Sequence, residues 1–442
     1  MSRHEEVTES AAPRGGEDNL DSVAGRVFAG LLSHSHLMPP GEMSSALGRA
    51  ASPLGVTSVQ VYLADLQQRQ LVPLPTAENP RAGVLPVGST LAGRAFRTVT
   101  IQSAPVRGAD GADGADGAAE IYQVWIPMVD GTERLGVISL TVADVSEAML
   151  GRYRALASLV GIMTMAKTRY SDTYAQTQRS RQMELQAELV WALLPPRTFA
   201  TDRVLLAASL EPAYRAGGDA FDYSLIDDHL HLSIFDALGH DLSAGLLASV
   251  AIASCRSARR AGGSLAAIAA RADDAITGSF GDDQFVTALL TDLDLATGLL
   301  TWIPCGHPPP LLIRGRVVRE LARTPRPPLG LGGYHTAAGT RRPRASALST
   351  PLCSERLEPG DRVMLYTDGV TEGRAADDTE FGLQRLADFI IRHSSGLLPA
   401  PETMRRLNEA IMEYQDGRLR DDATAILIEW RPDQPGRRKL TP

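Results

Sequence analysis

Residues 217–245 read GGDAFDYSLIDDHLHLSIFDALGHDLSAG. Within this stretch Leu230–Asp236 is strand-like and delivers Asp236 at its end, and a helical stretch, Ser243–Arg260, follows. Asp219 stands beside paired glycines, Gly217 and Gly218. A strand end can aim a carboxylate into a cleft, and a neighbouring glycine lets a backbone carbonyl or a water approach closely. Gly218, Gly239 and Gly369 are read as tight-turn positions, and Asp241 as the cap of the helix that starts near Ser243.

Two further acidic motifs lie downstream, YTDGVTE at 366–372 and RDDAT at 420–424. A single Gly-Asp pair ordinarily marks a turn. Four such motifs in order, three of them beside apolar strands, are far more specific. Aspartates gathered in one cleft repel one another, and a divalent cation removes that penalty. Oxygen ligands without His or Cys select Mg²⁺ or Mn²⁺ rather than zinc. Two such ions ~3.5–4 Å apart hold a phosphate, acidify a water and neutralise an in-line displacement at phosphorus.

Around these motifs strand-like segments fall at Val204–Leu210, Phe285–Asp292, Leu299–Ile303, Val363–Tyr366 and Thr424–Trp430. Helical segments fall at Ser264–Gly278, Gly382–His393 and Pro401–Gln415. That pattern predicts two packed sheets with helices outside. The Pro-rich 323–333 and the polar 336–350 read as surface loops. Residues 433–442 form a basic tail, expected to be disordered.

The amino-terminal side differs. Residues 1–20 are polar and expected to be disordered. A globular segment, 21–166, opens on a helix carrying Val23, Val27, Leu31 and Leu32. Ser58–Leu63 then alternates as a strand, with Val59, Val61 and Leu63 on one face. Strands Tyr122–Met128 and Leu135–Ala143 and a helix Glu147–Lys167 complete it. GADGADGADG at 108–117 lacks the spacing and terminal Glu of an EF-hand loop and reads as a flexible insertion. Residues 167–195 read as one linker helix, stopped by Pro195 and Pro196. Leu185, Leu189, Val190, Leu193 and Leu194 make a stripe at helical spacing. It serves either a rigid spacer or a homodimeric signalling helix.

The composition is globular, 44% hydrophobic and 22% charged, and 442 residues imply two or three domains. A formal charge of −8 argues against nonspecific nucleic-acid or anionic-membrane binding. Cys255, Cys305 and Cys353 are far apart and read as small buried residues in a reducing compartment. MSRHEEVTES has no apolar core. No apolar run reaches the ~20 residues of a membrane span, so a cytoplasmic protein is expected. His34 and His36 read as solvated turn residues.

GGDAFDY, FDALGHDLSAG, CGHPPPLL, LYTDGVTEG and DDATAIL, preceded by LLPPRTF, resemble bacterial PPM-family phosphatases of the stage II sporulation protein E type in content and order. The resemblance covers residues 196–432. It implies an α-β-β-α sandwich over a two-metal site holding two Mn²⁺ or Mg²⁺ ions. The implied substrates are phosphoserine or phosphothreonine proteins, often STAS-domain anti-anti-sigma factors of partner-switching pathways. Carried over by position, Asp219 binds one metal, Asp236 bridges both with the Ala237 carbonyl as a further ligand, and Asp368 and Asp421 complete the other. Asp222 and Asp422 are read as groups behind the ligands that orient waters, or as structural hydrogen-bonders. Arg215 is either a phosphate contact or a solvated surface residue. His307, in CGHPPP, is read as packed rather than as a general acid. Residues 21–166 resemble a GAF domain, which implies a sensor for a small ligand or protein. The fold class is therefore α+β: a GAF-like sensor, a helical linker and a phosphatase domain. The rival readings are a non-catalytic phosphoprotein-binding scaffold and a cyclic-nucleotide phosphodiesterase, whose HD-type or Cys/His clusters are missing.

Overall fold

The computed structural model describes residues 15–432 apart from 77–81, 107–119, 169, 216, 282, 332–333, 338–339, 344–351, 395–398 and 418. The expectations for residues 1–14, for 108–117 and for 433–442 lie outside the described residues. The chain divides into two compact units at Arg179/Ser180, with Gly131–Glu133 grouped with the second.

The first unit contains α1 (Gly15–Ser35), α2 (Met43–Ala51), β1 (Val56–Ala64), β2 (Gln70–Pro73), β3 (Leu85–Pro86), α3 (Leu91–Thr98), β4 (Gln102–Pro105), β5 (Tyr122–Asp130), β6 (Glu133–Val142), α4 (Glu147–Lys167) and α5 (Asp172–Gln178). Its six strands form one sheet in the order β3-β2-β1-β6-β5-β4. Alternation decides what each face covers. Val61 and Leu63 of β1 pack with Leu31, Leu47, Leu156 and Val160 of α1, α2 and α4. Tyr62 and Ala64 point the other way, onto Ala92, Ala95 and Phe96 of α3. Residues 15–20, expected to be disordered, belong to α1. Extending an existing helix costs far less than nucleating one, and Ala24, Val27 and Leu31 anchor this one in the core. His34 and His36 are exposed near its end.

The second unit begins with α6 (Leu185–Leu193), β7 (Thr198–Ala200), β8 (Val204–Glu211), β9 (Asp219–Ile226), β10 (His229–Ala237), α7 (Leu242–Arg260), α8 (Leu265–Phe280), β11 (Val286–Asp294) and β12 (Leu299–Cys305). It continues through β13 (Leu311–Arg314), β14 (Val317–Glu320), β15 (Tyr334–Ala337), β16 (Thr340–Pro343), β17 (Cys353–Arg356), β18 (Arg362–Tyr366), α9 (Asp368–Thr371), α10 (Gly382–Ser394), α11 (Ala400–Tyr414) and β19 (Ala423–Trp430). Two antiparallel sheets run β17-β12-β11-β10-β9 and β14-β13-β18-β19-β8-β7. Leu206, Leu365, Ile426 and Ile428 of the second sheet share a core with Leu232 and Ile234 of the first and with α7 and α8. The alternate residues Leu205, Met364 and Leu427 face α10 and α11 through Leu386, Ile390, Leu407 and Ile411. The result is a helix–sheet–sheet–helix sandwich, and the α+β class holds. Cys255, Cys305 and Cys353 are buried.

Two expectations are corrected. Residues 167–195 are not one helix. Ser171 opens α5 by accepting the Thr173 N–H, and Arg179 and Glu184 are extended. The backbone between them bonds to a tertiary partner instead: the Ser180 N–H donates to the Tyr214 hydroxyl (3.0 Å) and the Glu184 N–H to the Tyr214 carbonyl (2.9 Å). Only part of the apolar stripe packs within the second unit, where Val190 is buried and Trp191, Leu193 and Leu194 lie against the same core, while Leu185 is exposed. The start of the stretch 336–350, expected to be loop, takes part in β15 and β16, which pair in the register Tyr334↔Pro343. Each segment there satisfies backbone groups of the other.

Candidate functional site

The acidic motifs meet where the two sheets of the second unit end together. β9 and β10 pair so that Asp219 lies directly opposite Asp236. Like charges in that relation are destabilising unless something neutralises them. The next strand puts Thr287 opposite Asp236 on its other side. From the second sheet, β18 runs into Thr367 and Asp368, and β19 starts just after Asp421 and Asp422.

Asp219 is 2% exposed, and its Oδ2 accepts the Thr367 hydroxyl at 2.7 Å. That hydroxyl also accepts the Thr424 N–H at 2.9 Å, so one threonine fixes the carboxylate to the adjoining ends of β18 and β19. Burial, then Asp236 and Asp422, holds the Asp219 carboxyl well above the usual carboxylate range. Asp236 is pushed up to about 7, first by burial and then by Asp368, Asp421 and Asp422. Asp368 is raised by burial and by Asp421, against the backbone N–H groups that bond it. Four sequence-distant carboxylates therefore feel one another's charge.

Asp422 has a different task. Its Oδ2 accepts the N–H groups of Gly217 (2.7 Å), Gly218 (2.8 Å) and Asp219 (3.2 Å). It is a buckle that ties the GGD turn to the start of β19. Two glycines are required around it. A Cβ on Gly369 would come within 1.9 Å of the Asp422 carbonyl oxygen. One on Gly218 would meet the Gly239 and Ala237 carbonyl oxygens at 2.6 and 2.8 Å. Ala237 is held there by its N–H donating to the Gly218 carbonyl (3.0 Å). As read from sequence, the Asp241 side chain caps α7 by accepting the Ala244 N–H at 3.1 Å.

Asp222 and Arg215 are not in the cluster. Asp222 is 1% exposed as a side chain, and both its oxygens are taken by α7, Oδ1 by Arg256 (2.7 Å) and Oδ2 by Arg259 (2.8 Å). Of its two readings, the structural one describes it. Arg215 is exposed and pairs with Glu184 at 3.1 Å, as a solvated surface residue does. His307 is buried, with Nδ1 2.8 Å from the Thr287 hydroxyl, and burial lowers its pKa to about 3.

Sequence reasoning passed over Thr367 and Thr287, which touch Asp219 and Asp236. A lone threonine at a strand end carries no signal of its own. Glu372 was quoted only as part of its motif. Its carboxyl is raised by burial and then by Asp368, which places it beside the cluster.

The donor set is carboxylates and a backbone carbonyl, the chemistry that suits Mg²⁺ or Mn²⁺. Among the described residues, no three His, Cys, Asp or Glu side chains stand close enough to hold an ion as placed. The residues thus fit such ions in donor type. No helix among the described residues is long and apolar enough to cross a membrane.

Residues 226–431 match the family model of stage II sporulation protein E. Asp236, Asp368 and Asp421 fall inside the match, and Asp219 lies just before it. "Protein IcfG" of Synechocystis sp. is 25% identical over 158 residues, 35% of this chain and 22% of that protein. The phosphoserine phosphatase RsbU of Bacillus subtilis is 22% identical over 264 residues, 57% of this chain and 73% of that protein. The chain thus spans about a fifth of the one relative and about three quarters of the other. The solved SiaA-PP2C domain of Pseudomonas aeruginosa is 23% identical with a TM-score of 0.44, covering 56% of this chain and 94% of that one.

Proposed function

With residues 226–431 belonging to the stage II sporulation protein E family, we propose that the chain is a metal-dependent protein phosphatase acting on phosphoserine or phosphothreonine. The observation that carries this reading is that Asp219 lies opposite Asp236 on neighbouring strands while Asp422, from a distant motif, ties the Asp219 turn to the start of β19, with Asp368 and Asp421 close enough to raise the Asp236 carboxyl. Asp219, Asp236, Asp368 and Asp421 would hold two Mn²⁺ or Mg²⁺ ions, with the Ala237 carbonyl as a backbone ligand. Bound there, the ions would acidify a water and neutralise charge on the phosphoryl group.

The chain's own contribution is positioning. Thr367 clamps Asp219, Asp422 clamps the GGD turn, and Gly369 lets the Asp422 backbone approach. No CxxxxxR signature of a cysteine-based phosphatase is present in the sequence, and direct hydrolysis by a metal-activated water, without a phosphoenzyme, is the mechanism proposed. The substrate class is a phosphorylated regulatory protein, by family a STAS-domain anti-anti-sigma factor. The first unit is proposed as a GAF-like sensor that controls turnover, its ligand being a small molecule or protein.

The test is Mn²⁺-dependent release of phosphate from a phosphoserine peptide. Asp236→Ala should lower turnover by roughly 10²–10³-fold, on the scale of losing a principal electrostatic element of a site, while still unfolding in one cooperative transition. Retained activity in that variant contradicts the assignment. Tight peptide binding without turnover in the wild type would favour the scaffold reading.

A further inference from the structure

Helix α7 is apolar on two sides. Leu247, Ala248, Ala251 and Ile252 face the core. On the outer side Leu242 and Leu246, one helical turn apart, are 40% and 44% exposed. Leu238 is 45% exposed and sits between Ala237 and Gly239, whose carbonyls close over Gly218 at the acid cluster. The Leu238 N–H donates to the Phe285 carbonyl at 3.1 Å. Gly330 lies against that same segment, since a Cβ there would come 2.5 Å from the Gln284 carbonyl oxygen and 3.4 Å from the Phe285 Cα. Leu331, 36% exposed, continues the rim from there.

Single exposed leucines need no explanation. Three within nine residues of chain, directly following the strand end that carries Asp236, do. The arginines nearest in the chain are engaged elsewhere, Arg215 by Glu184 and Arg256 and Arg259 by Asp222. The rim therefore offers apolar surface, and the cluster behind it repels acidic flanks.

Resting on the phosphatase reading above, we propose that the ridge Leu238–Leu242–Leu246 docks the phosphoprotein substrate, by gripping an apolar side chain that flanks the phosphorylated serine or threonine. The occupant is the substrate because the ridge shares its backbone with the cluster.

The test uses the full chain with Mn²⁺ and three probes: a phosphoserine peptide with leucines beside the phosphoserine, the same peptide with serines there, and p-nitrophenyl phosphate. Burying one or two leucines should give the leucine peptide a KM roughly tenfold or more below that of the serine peptide. The double variant Leu242→Ser/Leu246→Ser should erase that preference through KM, with kcat, p-nitrophenyl phosphate hydrolysis and the unfolding transition unchanged. Equal handling of both peptides by the wild type overturns the proposal, as does a preference that survives in the variant. A change in molecular mass in solution on substitution, with KM unmoved, overturns it in favour of an interface between copies. Absence of hydrolysis of all three probes by the wild type overturns the phosphatase reading itself.

Discussion

Asp219 and Asp236 face each other across one rung of a β-ladder, and Asp422 is nearly enclosed behind them. With no cation between them, protons are what relieve the repulsion, and the sign of the resulting pH dependence follows. Asp236 titrates at about 7 in the folded chain against an ordinary 3.8. Between those values the folded state keeps a proton that the unfolded state has released. Stability is therefore complete below the unfolded value and is lost as pH rises through about 7. In chelator, the melting temperature should fall between pH 4 and pH 8, by an amount worth roughly 2–4 kcal/mol. Asp236→Asn should flatten that slope and melt above the wild type at pH 8. A chelated wild type that gains stability over the same range would contradict the picture. The aspartates were legible because each stands beside glycine or at the end of an apolar run. Asp222 was not, because FDY looks locally much like GGD. The available signal was Arg256 and Arg259, three residues apart on one face of α7, which together match a carboxylate.

Elements with a strong period were easy to read. The helices α7, α8, α10 and α11 fall within two residues of their expected ends, and so do β8, β10, β11, β12, β18 and β19. The elements missed are those whose sequence signal is local and weak. β9 carries Asp219 and Asp222 in its first four residues, and aspartate is a poor strand former. It is a strand because β10 pairs with it along its whole length, a tertiary cause invisible in DAFDYSLI. β13, β14 and β17 are four residues each, too short for alternation to register. The linker failed for the opposite reason. Its polar first half is compatible with a helix, and Tyr214, distant in sequence, supplies the partners that break it. α6 then packs on α7, where Gly217 and Gly245 leave room for Gln186: a Cβ on either would stand about 3 Å from that side chain. A larger residue at Gly217 or Gly245 would push α6 off the helix that follows the Asp236 strand.

At the scale of the whole chain there are two units, each with its own core, and only the second carries the acid cluster. A sensor that controls turnover must change something in that cluster. Deleting residues 1–179 should therefore alter turnover or the Mn²⁺ concentration giving half activity, while leaving the second unit folded. Identical kinetics in the two forms would remove the control proposal and leave the chemistry intact. The chemistry stands on the capacity of Asp219, Asp236, Asp368 and Asp421 to hold hard cations together. Calorimetric titration of the chelator-treated chain with Mn²⁺ reads that capacity directly. Two ions per chain, with binding lost or reduced to one in Asp236→Asn, is the predicted result. A wild type that takes up no Mn²⁺, or a variant that binds as the wild type does, would contradict it.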